Sequence, residues 1–158
     1  MSADNLTFFA AGLPVSQGSK KIGRNRATGK PMLIDDNAAL KPWRSYVTMK
    51  ARQAAAAAQF FLLEGPVAVS LSFRFERPRG HYGTGRNRTA LKPSAPEYML
   101  VKPDVDKLTR AILDSLTDAK VYRDDSLVVS QLATKSYAEP NEQAGVYVVV
   151  TPAGGSHE

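Results

Sequence analysis

The residues best suited to chemistry lie in one stretch, KPDVDKLTRAILDSLTDAKVYRDDSLVV, from Lys102 to Val129. Asp104 and Asp106 stand two positions apart just ahead of a helical pattern, and Asp124 and Asp125 follow it. In an extended segment residues i and i+2 point to the same side, so these first two carboxylates are expected to face one way. Two carboxylates so placed repel each other unless a cation sits between them. Hard oxygen donors of this kind suit Mg²⁺, with Mn²⁺ as a substitute. Helix capping accounts for one Asp before a helix, not for two. Neighbouring residues of an extended chain point to opposite sides, so only one of Asp124 and Asp125 need reach the ion, and a turn is the competing use of such a pair. Arg110 lies four residues after Asp106 and shares its helix face, and Asp114 continues that row. Arg110 is then either a surface ion-pair partner or, beside a phosphate, the cation that binds it.

These acids need elements to hold them. Leu108, Ile112 and Leu116 recur at steps of four, which predicts a helix from about Asp104 or Asp106 to Leu116. A helix of ~11 residues spans ~16 Å, and the returning chain can bring Asp124-Asp125 back toward its start. Val67, Val69, Leu71, Phe73 and Phe75 alternate with smaller or polar residues and predict a half-buried strand. Leu6–Ala11, Ser126–Tyr137 and Gly145–Thr151 read as further strands. Trp43, Val47 and Ala51 form the stripe of an earlier helix that begins near Pro42, runs through the alanines 54–58 and is expected to end at Gly65-Pro66. Asp35, Asp36 and Asn37 are expected in the turn that leads into it. Gly12–Pro31 reads as a loop able to contain a hairpin, and Arg77–Lys102 as a long Pro/Gly/Arg-rich connection of the kind that is uncommon unless functional or disordered. The order predicts one α/β (α+β) domain over residues 1–158, with a single layer of helices packed on a mixed β-sheet and a loose tail from about residue 152.

Composition narrows the function classes. The 158 residues are 43% hydrophobic, which is enough for a core. No apolar run is long enough for a membrane span, and the start lacks the pattern of a signal peptide, so a cytoplasmic location is expected. With no cysteine in the chain, thiol nucleophiles and cysteine-held metals are excluded. The net charge of +6 is concentrated in two segments, Lys20, Lys21, Arg24, Arg26 and Lys30, then Arg74 to Lys102 with Arg86 and Arg88. Such segments suit a polyanion, nucleic acid first, although ordinary solvated loops would look similar. His81 and His157 fall in a Gly-rich loop and in the tail, and no reading needs them.

In Asp104-Val105-Asp106, the helix body Ala111-Ile112-Leu113-Asp114-Ser115-Leu116, Tyr122-Arg123-Asp124-Asp125 and the strand residues Val128-Val129, the chain resembles the RusA family of Holliday junction resolvases, many of them phage-borne. Gly12-Leu13-Pro14 after the first strand, with a basic loop and a helix of aromatic start behind it, is similar to the family's front half. The resemblance implies a Mg²⁺-dependent, homodimeric endonuclease that resolves four-way DNA junctions in recombination and repair. It implies that Asp104, Asp106 and Asp125 hold the metal and serve catalysis, with Asp124 as a helper and Arg110 as a catalytic cation. Lys20, Lys21, Arg24, Arg26, Arg86, Arg88 and Lys107 are the expected DNA contacts. Two positions depart from the family pattern: Lys107 stands where Asn is common, and Arg110 where a functional Lys is expected. Arginine keeps the charge but does not readily give up a proton, which favours electrostatic stabilisation over acid catalysis there. For the dimer interface, the helix near Trp43 and the strand Val146–Val150 are the candidates. Two other classes remain open. A non-catalytic DNA-binding protein would explain the basic loops and leave the acids unexplained. A metal-dependent nuclease acting on forks, flaps or RNA would share the site and differ in substrate.

Overall fold

The computed structural model describes residues 4–18, 20–35 and 38–154, with the side chains of 20–22 and 33–35 outside that description. In chain order the elements are β1 (Leu6–Ala11), β2 (Lys20–Arg24), β3 (Pro31–Asp35), α1 (Leu40–Ala58), β4 (Val67–Phe75), α2 (Val105–Asp118), β5 (Val128–Tyr137) and β6 (Gly145–Pro152). Four strands form one sheet in the order β1-β6-β4-β5, while β2 and β3 pair as a separate hairpin. β6 runs antiparallel to both β1 and β4, and β5 runs parallel to β4. A parallel neighbour requires a crossover, which is supplied by the segment carrying α2. The sheet is therefore mixed and carries the two helices, as the order of patterns predicts.

Alternation explains which sheet face is covered. Val67, Val69, Leu71, Phe73 and Phe75 of β4 are all buried, as are Val146, Val148 and Val150 of β6. Onto these pack Leu40, Trp43, Val47 and Ala51 of α1 and Leu108, Ala111, Ile112 and Leu116 of α2, all in one core cluster. Fully burying a side chain such as Leu108 or Ile112 contributes ~1.5–3 kcal/mol. Of the two interface candidates, Trp43 thus belongs to the core, and so do Val146, Val148 and Val150 of the strand, whereas Tyr147 is exposed on the strand's other face.

Several boundaries differ from expectation for local reasons. α1 ends at Ala58, not at Gly65-Pro66. Gln59 takes a left-handed conformation at φ 53°, and its N–H turns back to the carbonyls of Ala55 and Ala56. Glycine is the usual residue there, so the stop is invisible in composition. Pro42 is accommodated in the first turn, where backbone N–H groups have no intrahelical partner. The hairpin extends the expected loop to Asp35, so Asp35 ends a strand and does not lie in the turn. Asp36 and Asn37 lie outside the described residues. The stretch before β5 is a single 3₁₀ turn, Asp125–Leu127, in place of the first two residues of the strand expected from Ser126. β6 reaches Pro152, and of the expected loose tail residues 155–158, His157 among them, are outside the described residues. Gly145 opens β6 where any Cβ would collide with the Ala10 carbonyl and the Phe9 ring.

Candidate active site

α2 carries the site on its exposed face. Asp106, Lys107, Thr109, Arg110, Leu113 and Asp114 line one side of a cavity of about 570 Å³. Asp125 and Gln131 close it from the turn and strand that follow, and Gln17 and Gly18 from the segment after β1. The row Asp106–Arg110–Asp114 comes from the helical repeat. Asp125 is delivered by how the chain returns. Leu63 receives it through two backbone hydrogen bonds, Leu63 N–H to the Val121 carbonyl at 3.0 Å and Arg123 N–H to the Leu63 carbonyl at 3.0 Å. Between them Tyr122 is fully buried and donates its hydroxyl to the Leu113 carbonyl of α2 at 2.8 Å.

Burial, and then the negative charges of Asp125, Asp114 and Asp124, push the Tyr122 phenol up to about 12. The ordinary value of a tyrosine phenol is 10.0, so the folded state keeps a proton that the unfolded chain releases between pH 10 and 12. Stability from this group is intact below pH 10 and falls as pH rises to about 12, by on the order of 2 kcal/mol. In Tyr122→Phe this alkaline fall should be smaller, with a neutral-pH cost of about 1 kcal/mol for the lost hydrogen bond. Urea melts of both proteins at pH 8 and 11 measure the difference, and equal alkaline losses would count against the assignment.

The two predicted pairs divide. Asp104 is the N-cap residue of α2, in extended conformation, while Asp106 is already inside the first turn. The helix starts between them, so they do not share the common side that an extended segment would give. Asp106 lines the cavity, and Asp104 stands outside it. Although placed to cap, the Asp104 carboxylate makes no capping hydrogen bond and instead lies 3.7 Å from the Lys107 ammonium. Lys135 of β5 fixes the approach to this point, donating to the Val101 carbonyl at 2.7 Å and the Pro103 carbonyl at 3.0 Å. In the second pair, Asp124 accepts from Ser126 N–H at 2.8 Å, the cap of the 3₁₀ turn. That backbone hydrogen bond, chiefly, draws its pKa below the ordinary carboxylate value. Asp125 is left to face the cavity.

Arg110 is exposed and makes no ion pair among the described residues, whereas Asp114 lies 3.9 Å from Arg44 of α1. Of the expected DNA contacts Lys107 lines the cavity, and the others lie on segments joined to its lining along the chain. The β2–β3 hairpin follows Gly18 and carries exposed Arg24 and Arg26 at its tip. The long loop that ends at Asp104 carries exposed Arg86 and Arg88. Arg77, stacked on Tyr137 at 4.5 Å and bonded to the Pro96 carbonyl at 2.7 Å, ties that loop to the end of β5. Lys20 and Lys21 lie in β2, and their side chains are not described.

Among the described residues no three carboxylates or imidazoles gather closely enough to form a ready-made ion site. The donor chemistry nonetheless fits a hard cation. Asp106, Asp125 and Asp114 share the cavity with Gln17, whose Oε1 is buried without a hydrogen-bond partner among the described residues. Mg²⁺ is commonly held by one or two carboxylates, with water and substrate phosphates completing its shell. Asp114 carried a signal in the sequence, since it continues the Asp106–Arg110 row. Gln17 and Gln131 carried none, because each arrives from a segment distant in the chain.

Residues 11–151 match the sequence model of a family described as Endodeoxyribonuclease RusA. No curated protein matches the chain significantly. Nucleases of the RusA family generally use a divalent metal. The match spans nearly the whole fold and includes every residue of the cavity, so the chain belongs to the RusA endodeoxyribonuclease family and is an endonuclease.

Proposed function

We propose that the protein is a Mg²⁺-dependent homodimer that resolves four-way DNA junctions by hydrolysing one phosphodiester in each of two strands, in recombination and repair. The observation that carries the reading is the cavity joining Asp106, Asp125 and Arg110, which makes no ion pair among the described residues, in a chain of this family that also carries two basic segments. Asp106 and Asp125 hold the ion, Asp104 serves from the rim, and Asp124 helps by fixing the turn that presents Asp125. When bound, the ion supplies Lewis acidity toward the phosphate and lowers the pKa of attacking water. Arg110 binds the scissile phosphate and stabilises the charge that develops on it, with Lys107 beside it. The side chains of Arg24, Arg26, Arg86 and Arg88, with Lys20 and Lys21, hold the flanking backbone.

A dimer follows from the chemistry of the substrate. A four-way junction has approximate two-fold symmetry, and two matched nicks require two matched sites. A C₂ dimer supplies them, and C₂ is the commonest symmetry among oligomers. The test is incubation with four-way junction, replication fork and linear duplex, with and without Mg²⁺, alongside sedimentation. Paired symmetric nicks in the junction, dependent on Mg²⁺, are expected from a particle of twice the 17.1 kDa chain mass. A monomer making single nicks in forks or flaps would replace this reading with the other nuclease class. Binding without any cutting would leave a DNA-binding protein.

A further inference from the structure

A second cavity, of about 450 Å³, lies where α1 crosses the end of α2. Lys41, Arg44, Ser45, Thr48 and Arg52 line it from α1, and Asp118 from α2. Three cations therefore face one carboxylate. That carboxylate is engaged, since Arg44 lies 3.1 Å from Asp118. One Arg52 N–H donates to the Asp118 carbonyl at 3.0 Å, and Thr48 donates to the Arg44 carbonyl at 2.8 Å. Lys41 and Ser45 are exposed and make no ion pair or hydrogen bond among the described residues. Each guanidinium has five donors, so both arginines also keep N–H groups in reserve.

The two cavities adjoin. Arg44 reaches Asp118 in this one and, at 3.9 Å, Asp114 in the carboxylate cavity. From Arg110 to Asp118 α2 rises ~12 Å, which matches about three or four nucleotides at the ~3.4 Å axial rise of a DNA strand. An unpaired ammonium, a free hydroxyl and forked guanidinium donors are the groups that bind phosphate oxygens.

We propose that this cavity is a subsite for one DNA backbone phosphate, a few nucleotides from the bond that is cut, so that α1 and α2 together grip one arm of the substrate. The inference rests on the proposed DNA-cutting role of the adjoining cavity. Arg44 positions the subsite by neutralising Asp114 and Asp118, which would otherwise repel the strand. Lys41, Ser45 and Arg52 make the contact.

Fluorescence anisotropy in EDTA tests it without reference to cutting. Affinity for a four-way junction is measured across a KCl series for wild type, Lys41→Ala, Arg52→Ala and Lys50→Ala. Lys50 is on α1 but does not line the cavity, so it controls for the loss of one charge. The slope of log K against log salt should fall by about 0.9 for Lys41→Ala and for Arg52→Ala and hold for Lys50→Ala. Arg52→Ala also removes a bond to the end of α2. Lys41→Ala removes none among the described residues, so it keeps the test decisive even if the other variant melts early. Slopes for Lys41→Ala equal to those of wild type, or an equal fall in Lys50→Ala, overturn the subsite and leave the proposed cutting untouched. Wild type that binds with the expected slopes but cuts nothing in Mg²⁺ overturns the cutting role and keeps the phosphate contact. Wild type that binds no DNA overturns both.

Discussion

Asp106→Asn and Asp125→Asn should each lower the rate of junction cutting by roughly a thousandfold or more in Mg²⁺, since a metal supplies several kcal/mol of transition-state stabilisation and each 1.36 kcal/mol is tenfold. DNA binding should be unchanged or tighter, because each change removes one negative charge beside a polyanion. Neither residue is buried, so melting temperatures should hold. Single-turnover cutting and anisotropy on the same preparations separate the two effects. Asp104→Asn gives a cleaner reading still. Asn and Asp are equally good N-caps, and Asp104 makes no cap bond to lose, so any loss of cutting there is a loss of charge. Asp124→Asn should be milder, because its carboxylate is already committed to Ser126. Near-wild-type rates for Asp106→Asn or Asp125→Asn would remove that residue from the metal site, and an equal loss in Asp124→Asn would mean that the pair acts as a unit.

The division among these acids also marks what could be read from the sequence. β4 and α2 were legible because Val67 to Phe75 and Leu108 to Leu116 repeat at the periods of a strand and a helix, and burial follows those periods. The acids were legible as residue types. Their directions were not, because the direction of a side chain depends on where the helix begins. A start at Val105 turns Asp106 into the cavity and leaves Asp104 outside its lining. The end of α1 was hidden for a related reason. A left-handed Gln59 is a conformational fact without a compositional mark. Gln17 meets α2 through its backbone N–H, which donates to the Lys107 carbonyl at 3.1 Å, and a tertiary contact of this kind leaves no local pattern.

The same packing sets the second large effect, at Trp43. An interface role for α1 would require a Trp43→Glu protein that folds as a monomer. The structure instead has Trp43 at 6% exposure, in a cluster with Val47, Leu40 and the strand residues beneath. Truncating a core Trp costs ~3–5 kcal/mol, and a carboxylate in its place must either stay charged in an apolar site or take up a proton, at a further cost of several kcal/mol. Against a typical total stability of ~5–15 kcal/mol, Trp43→Glu should abolish the cooperative thermal transition. Trp43→Phe supplies the contrast. The indole Nε1 is buried without a partner among the described residues, so phenylalanine loses volume but no hydrogen bond seen there, at no more than about 2 kcal/mol. Circular dichroism melts of the two variants decide the matter. A Trp43→Glu protein with a native melt and half the wild-type sedimentation mass would return α1 to the surface and make it the dimer interface. An unfolded Trp43→Glu beside a folded Trp43→Phe means that any dimer must form through surfaces outside this core.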